Sequence, residues 1–348
     1  MIELARALSI DPEILLLDEV TQSLSLNNRN ILYDLIAKLR DMGRSVIVIT
    51  HDIEEMIRIT DTITVLRDGE VVGQVASAET DPDQIRMMMV GRQISGEYYR
   101  DDRCVDCDGE TVLSVRDLSV PGELEDVSFD VHAGEILGFC GLSDAGIHSV
   151  GKAVYGLTGA SGTVHFLPTD AYIKSAPQAL ANHMGYVPKD RDREALMIHA
   201  SIRDNAVLPS VGELRAALGL LPPGKVSSMA EGIRERFAVK STGIGQSMDA
   251  LSGGNKQKVN FGRWLAKDLK LLILDCPTRG VDVGVKAAIY ALMKEAKKTG
   301  IAVILISDEL TEVLGMADRL MVMKDGRVTR TISRGEDFTE QTVIGVMI

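Results

Sequence analysis

The sequence predicts an α/β chain with mainly parallel sheet, and two features carry that expectation. The first is an internal repeat without gaps, in which DPEILLLDEVT at 11–21 lies over DLKLLILDCPT at 268–278. The same offset lays DMGRSVIVITHDIEEMIRITDTITVLRDGEVV over KTGIAVILISDELTEVLGMADRLMVMKDGRVT, pairing Gly43 with Gly300, Asp61 with Asp318 and Asp68-Gly69 with Asp325-Gly326. The second is the order of segments inside each copy: an apolar run, a helix-length stretch, another apolar run, a short helix and a hairpin turning at Asp-Gly.

Taken along the chain, the strand ILLLDE delivers Asp18 and Glu19 to its end, and the strand SVIVIT delivers His51. Catalytic groups of open parallel sheets gather at such strand ends. In the second copy the same places hold Asp275, Cys276 and Asp308. Residues 92–110, RQISGEYYRDDRCVDCDGE, are polar and read as a linker between a first domain at 1–91 and a second at 111–348. Its Cys104 and Cys107 form a CxxC without a second ligand pair at suitable spacing, so the pair reads as two reduced thiols on a surface linker rather than half of a zinc site.

With 348 residues, 45% hydrophobic and 25% charged, the composition is that of a globular protein with room for two cores. No apolar run approaches the roughly 20 residues of a membrane span, and the N-terminus lacks the pattern of a secretion signal. The net charge of −12 argues against nucleic acid as a partner, because a phosphate-backbone footprint needs clustered Lys and Arg.

LSGGNKQKVNFGRWLAKDLKLLILD at 251–275 combines a signature that opens a helix with an apolar strand ending in an acid, and PTRGVDVG follows it. This combination resembles the ATP-binding cassette family, and the resemblance covers nearly the whole chain. YVPKDRDREAL at 186–196, together with PTRGVDVGVKAAIY at 277–290, is similar to the second half of double-cassette ATPase subunits of bacterial monosaccharide importers. The resemblance implies a P-loop NTPase-like cassette with an antiparallel β subdomain and a helical signature subdomain, as a partial first cassette followed by a complete second one. It also implies ATP and Mg2+ as cofactors, integral-membrane permease subunits as partners, a periplasmic sugar-binding protein as an indirect one, and a peripheral place on the cytoplasmic face of the inner membrane.

By the same resemblance, Asp18 holds magnesium through water, Glu19 is the base that orients the attacking water, and His51 contacts the γ-phosphate. Ser252, Gly253, Gly254 and Asn255 form the signature, which faces nucleotide held by the other cassette. A phosphate loop needs a glycine turn after a strand, a Lys for charge and a Ser or Thr for magnesium. After the strand GEILGFC, Gly141 and Gly146 keep the glycine spacing, but Ile147 and His148 replace the Lys and the hydroxyl residue. The register GIHSVGKA, with Lys152, would separate the loop from its strand. His148 could mimic a cation weakly, but it reads first as a helix-surface histidine, and Cys276 as a small buried filler. Asp275 is the surviving, weak metal ligand of a degenerate site in which Lys189 and Asp308 also depart from the family pattern.

The stretch corresponding to 111–259 of the second copy has no counterpart before the first, so the sequence is expected to be an N-terminally truncated fragment. By itself it is expected to lack ATPase activity. Two alternatives stand beside the importer subunit: a soluble double-cassette protein acting on ribosomes or DNA, and a non-catalytic remnant. The sequence does not name the sugar.

Overall fold

The apolar runs form strands whose burial depends on their neighbours, and that dependence separates the two halves of the chain. A computed structural model describes the chain apart from residues 1, 25, 51, 68–69, 91–98, 100–108, 143, 217–218, 336–337 and 348. The chain divides into two compact units, Met1–Gly96 with Asp282–Gly284, and Glu97–Val281 with Val285–Ile348. Most of the linker stretch 92–110, including Cys104 and Cys107, lies outside the described residues.

The first unit runs α1 (Ile2–Leu8), β1 (Ile14–Asp18), α2 (Leu26–Asp41), β2 (Ser45–Ile49), α3 (Ile53–Ile59), β3 (Thr62–Arg67), β4 (Glu70–Ala76) and α4 (Pro82–Val90). β1 and β2 pair in parallel, with Asp18 beside Ile49, while β3 and β4 form an antiparallel hairpin. β1 alternates between exposed and buried residues. Leu15 and Leu17 pack with Leu4, Leu32 and Ile36, whereas Ile14, Leu16, Ile47 and Ile49 of the same pair of strands are exposed.

The second unit opens with β5 (Thr111–Val120), β6 (Leu124–His132), β7 (Ile136–Gly141), α5 (Ile147–Val154), β8 (Ser161–Phe166), β9 (Ala171–Tyr172), α6 (Ala176–Ala181) and β10 (Met184–Val187). Helices α7 (Ile202–Val207), α8 (Val211–Leu214), α9 (Pro223–Arg236) and α10 (Gly253–Leu265) follow. The chain then returns to β11 (Leu271–Asp275), α11 (Val283–Lys298), β12 (Ala302–Ile306), α12 (Leu310–Met316), β13 (Arg319–Lys324), β14 (Arg327–Ser333) and α13 (Glu340–Met347). A six-stranded sheet of order β10-β11-β12-β7-β13-β14 is parallel except for the β13–β14 hairpin, and a separate antiparallel sheet has the order β6-β5-β8-β9.

β11 and β12 are buried at every position, unlike their repeat partners β1 and β2. The cause is β7, which sits between β12 and β13 and fuses the parallel strands to the hairpin. Asp318 receives the Ile136 N–H at the start of β7 at 2.8 Å and is paired with Lys297 at 2.8 Å. Its repeat partner Asp61 is exposed, 3.8 Å from Arg40. A second apolar cluster, including Ile202, Ala230, Ile233, Met248 and Val259, holds α7, α9 and α10 together as a helical layer.

Candidate functional site

Both copies bend the chain in the same way at the end of the first repeat strand. Glu19 has φ 47° and Cys276 φ 46°, a left-handed conformation that side chains seldom adopt and that concentrates at functional sites. In each copy the N–H of that residue donates at 2.8 Å to the carbonyl at the end of the next strand, Ile49 or Ile306. The surroundings differ. Asp18 and Glu19 are exposed, whereas Asp275 is fully buried and Cys276 nearly so. His51, expected at the end of β2, lies outside the described residues.

Behind each strand end is a buried glutamate that sequence reasoning passed over. In the first unit Thr21 and Thr50 donate to Glu55 Oε2 and Tyr33 donates to Oε1, each at 2.9 Å. In the second unit Thr278 donates to Glu312 at 2.7 Å. Burial pushes the Glu312 carboxyl up to about 7, and the neighbouring Glu309 adds to the rise. The network ties the turn after β1 or β11 to the helix after the next strand. The repeat carries the signal, since Thr21 falls on Thr278 and Glu55 on Glu312.

The loop after β7 keeps the backbone of a phosphate loop and replaces its chemistry. A Cβ on Gly141 would stand 2.8 Å from the Met323 carbonyl, and one on Gly146, at φ +81°, 2.3 Å from the Glu123 carbonyl, so both positions demand glycine. Ile147, where the lysine would be, is packed into the core. His148 is not the helix-surface residue expected from sequence. Its Nδ1 lies 2.6 Å from Asp275 Oδ1 and its Nε2 3.0 Å from Asp308 Oδ1. Lys189 Nζ is 2.7 Å from Asp308 Oδ2 and 2.8 Å from the same imidazole, and the Tyr186 hydroxyl donates to Asp275 Oδ2 at 3.4 Å.

Burial opposes charging of His148, but its bonds to Asp275 and Asp308 win and lift it to about 9. For Asp308, burial acts upward, and the bonds from His148 and Lys189 hold it well below the usual carboxylate range. Cys276 is more than a filler: its thiol donates to Asp308 Oδ2 at 3.6 Å, and burial, with both aspartates nearby, pushes it far up. A thiol held in that state cannot accept a proton from water.

The signature sits where α10 begins. Ser252 is exposed and caps the helix, accepting from the Asn255 N–H at 3.4 Å and from Asn255 Nδ2 at 2.9 Å. Asn255 Oδ1 accepts the Lys240 N–H at 2.9 Å, so the asparagine fixes the serine to the loop before it. Gly253 lies under Arg191, whose Nη1 donates to the Arg279 carbonyl at 2.8 Å, and Gln257 donates to the Pro277 carbonyl at 2.6 Å. The cap leaves backbone N–H groups at the start of a 13-residue helix, the local arrangement that receives anions.

Residues 124–279 match the profile of the ABC transporter family. A putative ribose/galactose/methyl galactoside import ATP-binding protein of Rhizobium meliloti is 39% identical over 337 residues, covering 97% of this chain and 65% of that protein. Ribose import ATP-binding proteins of Streptomyces coelicolor and Rubrobacter xylanophilus are 40% and 38% identical, covering 100% and 99% of this chain and 66% and 68% of their own lengths. The chain thus spans about 65% of the length of the first curated relatives it matches. Among solved structures, a dimeric ATP-binding cassette in a post-hydrolysis state with ADP and phosphate gives a TM-score of 0.55 at 19% identity, over 64% of this chain and 98% of that one. A nucleotide-free cassette gives 0.55 at 22% identity, over 69% and 99%.

Proposed function

The chain belongs to the ABC transporter family, with the cassette fold of P-loop NTPases, and on that premise we propose that it is part of the ATP-hydrolysing, energy-coupling subunit of a carbohydrate importer. The observation that carries this reading is the unequal fate of the two repeated strand ends. In the first copy an acid pair, Asp18-Glu19, stands exposed at a left-handed turn; in the second the equivalent pair is sealed, while the signature serine Ser252 remains exposed. Nucleotide chemistry is therefore assigned to the first copy, and the second copy contributes its signature.

Within that reading, Asp18 would hold magnesium, and the exposed carboxylate at the strand end suits a hard, oxygen-seeking cation. The ion would neutralise phosphate charge as phosphoryl transfer proceeds. Glu19 accepts the proton of the attacking water, His51 contacts the γ-phosphate, and Ser252, Gly253 and Gly254 supply donors to it. Gly141 and Gly146 keep the loop shape of the second copy without a loop lysine. Permease subunits, a periplasmic sugar-binding protein acting through them, and a peripheral location at the membrane belong to this reading, which the similarity to import ATP-binding proteins supports. Among the described residues no helix is long and apolar enough to cross a membrane.

The bare face of β1 and β2 supports the further reading that a preceding segment completes the first cassette, with a strand in the place that β7 takes in the second. The test is ATP turnover by a chain carrying that segment, reconstituted with its permease. Glu19→Gln is expected to lower the rate by about a hundredfold or more. Undiminished turnover in Glu19→Gln would overturn the assignment of the base.

A further inference from the structure

We propose that the second copy's nucleotide site has been converted into a permanent ion cluster, in which the side chains of His148 and Lys189 take the place of magnesium and of the phosphate-loop lysine. The inference deepens the functional reading above. Its material is the set of four departures, Ile147-His148, Lys189, Cys276 and Asp308, which the fold brings to one place.

The four elements that a bound magnesium nucleotide would connect are here connected by protein. His148 stands at the start of α5, Lys189 follows β10, Asp275 ends β11 and Asp308 follows β12. Two carboxylates face an imidazole and an ammonium, with contacts of 2.6 Å, 3.0 Å and 2.7 Å running as a chain Asp275–His148–Asp308–Lys189, and Lys189 Nζ stands 2.8 Å from His148 Nε2. The charges balance within the cluster. Asp275 has one oxygen against the imidazole and the other within reach of the Tyr186 hydroxyl, so magnesium, which takes oxygen ligands, could join it only by displacing His148. Magnesium therefore does not fit the site as built.

The surroundings are equally unsuited to nucleotide phosphate. Beside the loop, a cavity of about 570 Å³ is lined by Glu123, Glu125, Asp144 and Asp325. Glu125 is paired with Arg327, and the Ser149 hydroxyl of α5 is bonded to Glu123. Carboxylates lining the space beside the loop repel a polyphosphate. The substitutions also make sense as a set: a cation at 148 and another at 189 are each costly to bury alone, and each is compensated by an aspartate.

The consequence is a cassette whose loops are tied without ligand, and it can be tested with magnesium alone. In the 1–348 chain carrying Asp18→Asn, to silence the first copy, the melting temperature of the second unit is expected to be the same in EDTA and in millimolar magnesium. His148→Ser, which removes the cation and supplies a hydroxyl, is expected to lower it by roughly 3 to 6 °C in EDTA and to regain most of the loss with magnesium. His148→Ser with Asp275→Asn should lose that response, and His148→Lys, which keeps the charge, should behave as the parent. If His148→Ser does not fold, His148→Asn, which also removes the cation from Asp275 and Asp308, is expected to show the same magnesium response.

A parent stabilised by magnesium as much as His148→Ser, or a His148→Ser protein with the parent's melting temperature in EDTA, would overturn the proposal. So would stabilisation of the parent by zinc, since His148, Asp275 and Cys276 offer donor atoms within 4.8 Å of one another and that outcome would make the cluster a metal site. The measurement uses neither nucleotide nor turnover, so it keeps its meaning if the ATPase reading fails.

Discussion

At the scale of the residue, one backbone geometry supports two chemistries. The left-handed turn at Glu19 and Cys276 is common to both copies, so the difference between an exposed acid pair and a sealed cluster lies in the side chains and in the neighbouring elements around the turn. Placing a carboxylate at 276 would set it among Asp275 and Asp308 in a buried site with both protein cations already engaged. Cys276→Glu is therefore expected to add no turnover and to destabilise the second unit by about 2 kcal/mol or more, measured by denaturant unfolding. Turnover several-fold above the parent would show that the second site is still competent.

Glu312 gives a pH signature of its own. Its folded carboxyl is raised from 4.5 to about 7, so the folded state binds the proton more tightly than the unfolded one. Its contribution to stability is full in acid and is lost as pH rises through that window. Glu312→Gln removes the titration: relative to the parent, the variant's melting temperature is expected to climb by a few degrees from about pH 5 to about pH 8. Parallel curves for the two proteins would contradict the assignment.

At the scale of the element, α10 shows why a helix start can be a site. Ser252 caps it and is exposed, and Ser201 caps α7 in the same way, accepting the Asp204 N–H at 3.1 Å. Replacing either serine by alanine is expected to cost about 1 kcal/mol, the usual worth of a cap. In the reconstituted protein only Ser252→Ala should also lower turnover, on the order of a hundredfold, because only its hydroxyl is assigned to phosphate. Equal turnover in the two variants would reduce Ser252 to a capping residue. The signature glycines and serine are legible in the sequence because their spacing is local. Arg191, which lies over Gly253, comes from a short helical turn far back in the chain and is not.

At the scale of the whole molecule, the two units show what a strand owes to its neighbours. Ile273 and Ile304 are buried within the six-stranded sheet; Leu16 and Ile47, their repeat partners in a two-stranded sheet, are exposed. Leu16→Gln with Ile47→Gln should therefore change the stability of the 1–348 chain by less than about 0.5 kcal/mol. In a longer chain whose preceding segment covers that face, the same pair should cost on the order of 3 kcal/mol or more. Equal small effects in both chains would count against the proposed completion of the first cassette.

The repeat, the strands ending in Asp18 and Asp275, the Asp-Gly hairpin of the second copy and the signature helix follow from the sequence, because periodicity, turn chemistry and spacing are properties of neighbouring residues. The placement of β7 between β12 and β13, the pairing of Thr21 with Glu55 and of Thr278 with Glu312, and above all the direction of His148 were decided by tertiary structure. Helical spacing says that Ile147 and His148 point different ways. It does not say that the isoleucine enters the core and that the histidine meets aspartates 127 and 160 residues further along the chain, because an ion pair is formed by distance in space and its energy is set by the burial around it.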